Sequence, residues 1–118
     1  MQIGDKMEEL TINGVTYVKK ENRPAKPYVI VRTYSAGVFA GYLESKNGRE
    51  VILTNARRIW KWSGAASLSQ LAQSGSSDPD NCKFPEPVNR VELLEAIEIL
   101  DVTDKAKKII ESVKIWKA

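Results

Sequence analysis

Two Asn-Gly dipeptides, Asn13-Gly14 and Asn47-Gly48, each lie between runs rich in β-branched and aromatic residues. Asn and Gly both enter the positive-φ region at little cost, so this pair between strand-like runs is a strong short-range signal for a β-hairpin. The chain is therefore committed to antiparallel pairing in two places. The first hairpin spans 8–20 (EELTINGVTYVKK), and ENRPAKP (21–27) follows with two prolines and three charged side chains as an extended connector. The second joins a strand at Val38–Ser45 to EVILT (50–54) through Lys46-Asn47-Gly48-Arg49. Ahead of it, YVIVRTY (28–34) reads as a strand that Ser35-Ala36-Gly37 turns back. Gly41, inside a strand pattern, signals a bulge or the close approach of another backbone or a ligand.

Beyond residue 54 the pattern changes. NARRIWKW (55–62) is read as a fourth strand. Ser67 suits a helix N-cap, Leu68, Leu71 and Ala72 fall at helical spacing, and Gly75 is a stop signal, which predicts a helix of about two turns. The stretch 76–89 carries three prolines and reads as a long irregular loop. RVELLEAIEILD (90–101) fits two patterns. Val91, Leu93, Ile97 and Ile99 share a strand face broken by Glu95, whereas Leu94, Ala96, Ile97 and Leu100 suit a helix. The strand is preferred, because the sheet needs its edge and face covered. Thr103 then caps a helix with Asp104 in its first turn, Ala106, Ile109, Ile110 and Val113 apolar, and Lys105, Lys107 and Lys108 outside. Ile115 and Trp116 pack the tail back. The expected class is α+β: an antiparallel sheet of an N-terminal hairpin plus three to five strands, with one short and one C-terminal helix. Residues 1–27 form an arm and connector, and 28–118 form a single ligand-binding domain.

Composition limits the chemistry. The 118 residues include one Cys and no His, which excludes Ser-His-Asp and Cys-His catalysis and any His-containing zinc site. At 42 % hydrophobic and 28 % charged, the chain is globular rather than disordered, and its net charge of +3 does not by itself imply bulk nucleic-acid binding. The start, MQIGDKMEEL, bears Asp5, Glu8 and Glu9 without an apolar run, unlike a signal peptide, and no stretch is long and apolar enough for a membrane span. The expected location is cytoplasmic, and no cofactor and no metal are expected.

Catalytic groups are hard to find. Glu92, Glu95 and Glu98 read best as solvated charge, and Cys82 beside Lys83 as an incidental thiol. Asp78 and Asp80 lack the spacing of a calcium loop, and no glycine-rich phosphate loop occurs. A binding strip is more evident. Thr54–Trp62 holds three cations, Arg57, Arg58 and Lys61, and two indoles, Trp60 and Trp62, within nine residues. Arg matches phosphate with a two-pronged fork, and Trp offers a flat face to a base. The following SGAAS leads into a helix start, whose N–H groups attract anions. Alternation places Arg57, Ile59 and Lys61 on one face and Arg58, Trp60 and Trp62 on the other. The plainer alternative makes Trp60 core, Trp62 a lid and the two arginines solvated. Phe84, in Phe84-Pro85, reads first as packing, and Asn89 and Arg90 could complete a polar pocket at the loop's end.

The linked elements NARRIW, WSGAASL and CKFP, within YVIVRTYSAGVFAGYLESKNGREVILTNARRIWKWSGAASLSQLAQSG, NCKFPEPVNRVELLEAIEIL and a terminal VKIW, resemble a family of small phage and prophage proteins over residues 28–117. The pattern is similar to the first type of Thoeris anti-defence protein. That resemblance implies a sponge that binds a cyclic ADP-ribose isomer made by a bacterial TIR enzyme, or a cyclic oligonucleotide signal, and holds it without cleavage. It brings no individual ligand contacts to this chain. The site expected on chemical grounds has Arg57 and Arg58 on phosphate, Trp60 and Phe84 as base contacts, and Asn89 bonding base or ribose. A homo-oligomer is expected, because a small subunit encloses such a ligand best at an interface. The competing reading is a phage nucleic-acid-binding or assembly protein using the same basic-aromatic strip; a purely structural module is a third.

Overall fold

The computed structural model describes residues 26–117; the expected hairpin over 8–20 and most of its connector lie outside the described residues. Five antiparallel strands, β1 (Tyr28–Thr33), β2 (Val38–Asn47), β3 (Glu50–Arg58), β4 (Val88–Leu93) and β5 (Ala96–Asp101), form one sheet in the order β4-β3-β2-β1-β5. Two helices, α1 (Leu68–Ser74) and α2 (Asp104–Ser112), complete an α+β domain. Ser67 caps α1 by accepting from the Gln70 N–H, Gly75 ends it, and Thr103 caps α2 by accepting from the Ala106 N–H. A single 3-10 turn at Pro79–Asn81 interrupts the long loop.

Strands β4 and β5 occupy opposite edges of the sheet, yet only Leu94 and Glu95 separate them in the chain. The sheet must therefore curl until its edges meet. One backbone bond marks the closure: the Ala96 N–H, at the start of β5, donates to the Arg49 carbonyl of the β2–β3 turn at 3.0 Å. Curling explains how strand residues alone make a core. Val29, Val31, Phe39, Val51, Leu53, Ala56 and Leu93 are buried together inside the curl, without a helix over them. On the outer face, Tyr28, Ile30, Ala40 and Ile59 pack with Leu71 and Ala72 of α1, Ile110 of α2, and Phe84 of the loop. Each fully buried Ile, Leu or Phe contributes roughly 1.5–3 kcal/mol.

Three local departures from the sequence reading follow from turn and bulge geometry. Asn47 pairs with Glu50, so the β2–β3 turn is centred on Gly48-Arg49, with Gly48 at φ 63°, one residue later than an Asn-Gly turn. The expected fourth strand is not separate: Asn55–Arg58 continues β3 after a bulge, and Lys61 makes only an isolated bridge to Lys83. In that bulge Asn55 and Ala56 oppose the single residue Gly41, with Asn55 at φ 48°. A Cβ on Gly41 would lie 3.0 Å from the Ala56 Cα, so the glycine is what lets β3 come this close. Finally, residues 90–101 are strands, but two of them, and Ile97 is not a core residue. It is the extra residue where the β1–β5 register shifts between Thr33↔Ala96 and Arg32↔Glu98, and it is 46 % exposed.

Candidate functional site

The bulge at Asn55 decides where each cation of the strip goes. Val51 and Leu53 point into the curl, and an unbroken strand would send Arg57 there too. One extra residue reverses the alternation, so Ala56 faces the interior and Arg57 and Ile59 face the helices. Arg57 is 5 % exposed. Its Nε donates to the Pro85 carbonyl at 3.2 Å, Nη1 to Ile110 at 3.0 Å and Nη2 to Phe84 at 3.2 Å, and its guanidinium sits 5.5 Å from the Phe84 ring centre. Burial lowers its pKa from the ordinary value, partly offset by the neighbouring Tyr28. The guanidinium still carries its charge at neutral pH. It is an internal clasp between β3, the loop and α2.

Arg58 goes the other way. It lies 4.3 Å from the Phe39 ring centre and donates to the Ala36 carbonyl at the β1–β2 turn. The two arginines therefore do not converge on one phosphate, because neighbouring residues on a strand point to opposite faces. Phe84 has no accessible face for a base; it is fully buried and heads the outer core. Asn89 is exposed on edge strand β4, between Val88 and Arg90, whose partners Ala56 and Thr54 flank the bulge. At the start of α1 part of the donor set is already used. Gln70 accepts the Ala66 N–H on its side chain while donating its own N–H to Ser67 Oγ, so these two donors are internally satisfied.

What the fold does bring together is the far end of the strip. Lys61 and Lys83 face each other across an antiparallel bridge, with the Lys83 N–H donating to the Lys61 carbonyl at 2.7 Å. Directly opposed residues share a face, so the two lysine side chains leave the bridge on the same side. Among the described residues neither lysine has an ion-pair partner. Both line a cleft of about 380 Å³, with Trp62 and Trp116 as aromatic walls and Asp80 and Asn81 on the loop side. Trp116 is brought in by the tail, whose N–H donates to the Phe84 carbonyl at 3.0 Å; Lys83 Nζ lies 5.4 Å from its ring centre. Trp60, 63 % exposed, stacks on Trp116 with ring planes 9° apart and centres 6.5 Å apart.

The loop wall is braced from beneath. Asp78 accepts from Ser63 Oγ at 3.0 Å and from Asn81 Nδ2 at 2.8 Å, and buried Ser76 donates to the Ser63 carbonyl. Gly64, at φ 80°, lies where a Cβ would collide with the Asp78 backbone N, so the brace requires glycine. A second cavity of about 250 Å³, near the β1–β2 and β4–β5 turns, is lined by Glu92 and Glu95 with no cation, the wrong polarity for an anion. Sequence reasoning placed Lys61 and Trp62 in the strip but did not connect Lys83 and Trp116 to them. The available signal was the CKFP segment, whose alternation sets Lys83 opposite in facing to the core residue Phe84.

No described helix is long and apolar enough to cross a membrane. No curated protein and no solved structure matches the chain. Residues 26–110 match the model of a family described as a domain of unknown function (DUF6948). That span takes in all five strands, α1 and most of α2, and the chain belongs to this family.

Proposed function

We propose that the protein is a phage-encoded anti-defence sponge. It binds a cyclic ADP-ribose-type signal, or a related cyclic oligonucleotide, in the Lys61–Lys83 cleft and sequesters it without cleaving it. One observation carries this reading: two lysines held opposite one another on a bridge, beside two indoles. Like charges directly opposed destabilise a pair of strands, and a phosphate or pyrophosphate between them removes that cost. Trp116, backed by Trp60, offers a flat face to a base. The cleft falls within the ~300–1,000 Å³ typical of small-molecule sites. The sponge role itself rests on the resemblance in NARRIW, WSGAASL and CKFP, and the absence of His from the sequence suits retention of an intact ligand. The protein acts in the cytoplasm of an infected bacterium as a homo-oligomer, in which a second protomer covers the exposed Trp60 and Ile115 beside the cleft.

The test incubates the purified protein with TIR-derived cyclic ADP-ribose isomers, removes free ligand, denatures the protein and identifies what is released. Intact ligand from the native chain, and much less from Lys83→Ala, is the expected result. Recovery of a hydrolysed product overturns the sponge in favour of an enzyme. Nucleic-acid binding is separated by salt: DNA affinity falls steeply with ionic strength as several phosphates release counterions, and a single nucleotide depends on it far less.

A further inference from the structure

Arg57 borders a third, smaller cavity at the β3 bulge, of about 160 Å³, lined by Tyr28, Asn55, Arg57, Pro87 and Glu111. The loop from Lys83 to Pro87 connects it to the cleft, with Lys83 lining one and Pro87 the other. We infer that this pocket is a subsite for a neutral hydrogen-bonding ring of the nucleobase type, held by Arg57, Asn55 and Glu111. Naming a nucleobase rests on the nucleotide reading of the cleft; the pocket rests on its own geometry.

The guanidinium of Arg57 has five N–H bonds, and the carbonyls of Phe84, Pro85 and Ile110 take three of them. Two more donors remain on a side chain that is only 5 % exposed and borders the cavity. Across the same space Glu111 supplies acceptors, and Asn55 supplies one acceptor and two donors. Such mixed groups match the edge of a heterocyclic base. Glu111 offsets the charge of Arg57, so the pocket is nearly neutral and disfavours a bare phosphate. Its volume is about half the ~300 Å³ at the low end of drug-sized pockets, room for one ring system and not for a whole nucleotide. The Asn55 side chain is delivered here by its left-handed backbone, so the bulge that turns Arg57 toward α2 also furnishes the pocket's rim.

The experiment is an NMR titration of the full 15N-labelled chain with adenosine or guanosine, which lack phosphate, and separately with inorganic pyrophosphate. Nucleoside is expected to shift the Asn55 side-chain amide and Arg57 Nε–H signals. Pyrophosphate is expected to shift Lys61, Lys83 and the Trp62 indole. Asn55→Gly, which tolerates the left-handed backbone, and Glu111→Ala should each weaken nucleoside binding about tenfold and leave pyrophosphate binding unchanged. Nucleoside shifts confined to the cleft, pyrophosphate shifts at Arg57 and Asn55, or no nucleoside response at millimolar concentration each overturn the inference. Pyrophosphate binding without nucleoside binding removes this subsite alone; nucleoside binding without pyrophosphate binding removes the proposed function of the cleft and leaves the subsite.

Discussion

Arg57 Nη1 donates to the carbonyl of Ile110 at 3.0 Å, so a side chain from β3 caps the last turn of α2. Carbonyls at a helix C-terminus have no partner within the helix, and a cation there also complements the helix dipole. The same guanidinium reaches Phe84 and Pro85, which makes one residue the junction of strand, loop and helix.

Replacing Arg57 with Leu should therefore destabilise the protein by about 2–4 kcal/mol, because buried carbonyls lose charge-assisted donors. Arg57→Lys, which keeps the charge but not the fork, should fall between. Urea-denaturation midpoints check the order. Arg57 is for that reason a poor probe of phosphate binding, since lost binding and lost fold would coincide.

The lysine pair gives a sharper signature. Lys61→Ala and Lys83→Ala should each leave the free protein unchanged or stabilise it by roughly 0.2–1 kcal/mol, by removing like charges opposed across the bridge. The same variants should weaken nucleotide binding by about tenfold, on the order of 1.4 kcal/mol. Thermal melts with and without ligand measure both. A loss of stability in the free variants would show that the lysines serve the fold.

Gly41 and Asn55 should resist substitution for different reasons, one steric and one conformational. Gly41→Ala brings a Cβ to 3.0 Å from the Ala56 Cα and 3.1 Å from the Thr54 carbonyl oxygen, at an expected cost of about 1–3 kcal/mol. Asn55→Gly keeps φ 48° accessible and should change stability little, while Asn55→Val, forced into that region, should cost about 1–3 kcal/mol. Chemical denaturation of the three variants tests the bulge directly.

Stability should fall in alkali through Tyr28. Burial pushes its hydroxyl pKa well above the ordinary value of 10.0, with Glu111 and Tyr42 adding to the shift. The unfolded chain therefore loses this proton first. The native state then binds more protons than the unfolded state, and stability declines as pH rises from about 10 toward the raised native pKa, by up to ~1.4 kcal/mol per pH unit. Below the unfolded pKa the contribution is fully present. Tyr28→Phe should flatten the decline measured between about pH 10 and 11.5.

Cys82 is buried, and its sulfur accepts from the Ser63 N–H at 3.4 Å. Thiol reagents should label it slowly in the native protein and rapidly in denaturant. Fast native labelling would mean that the loop wall of the cleft opens readily.

Much of the fold was legible because it follows local rules. Tyr28–Thr33 and Val38–Asn47 are strands by their β-branched and aromatic content, and Ser67, Gly75 and Thr103 mark helix ends through their own side chains or backbone. The candidate site was legible only in its strip. Lys61 and Trp62 were visible, but Lys83 and Trp116, distant in sequence, join them through the Lys61–Lys83 bridge and the Phe84–Trp116 bond. Phe84 illustrates the reverse: an aromatic beside a lysine suits a base contact in sequence, yet the outer core takes its whole surface.

The sequence by itself determined that the chain is α+β, that its strands pair antiparallel, where its helices begin, and that cations and indoles gather near residue 60. Only the tertiary structure decided which cations face outward together. Strand period tells which residues alternate, but a single bulge, at Asn55 opposite Gly41, reverses every facing beyond it. Gly41 signals a bulge in the sequence, but which residues of the facing strand it takes in depends on how the two strands approach, which local propensity does not encode. Its consequence is that Arg57 serves the interior while the lysines, set by a bridge between distant segments, line the open cleft.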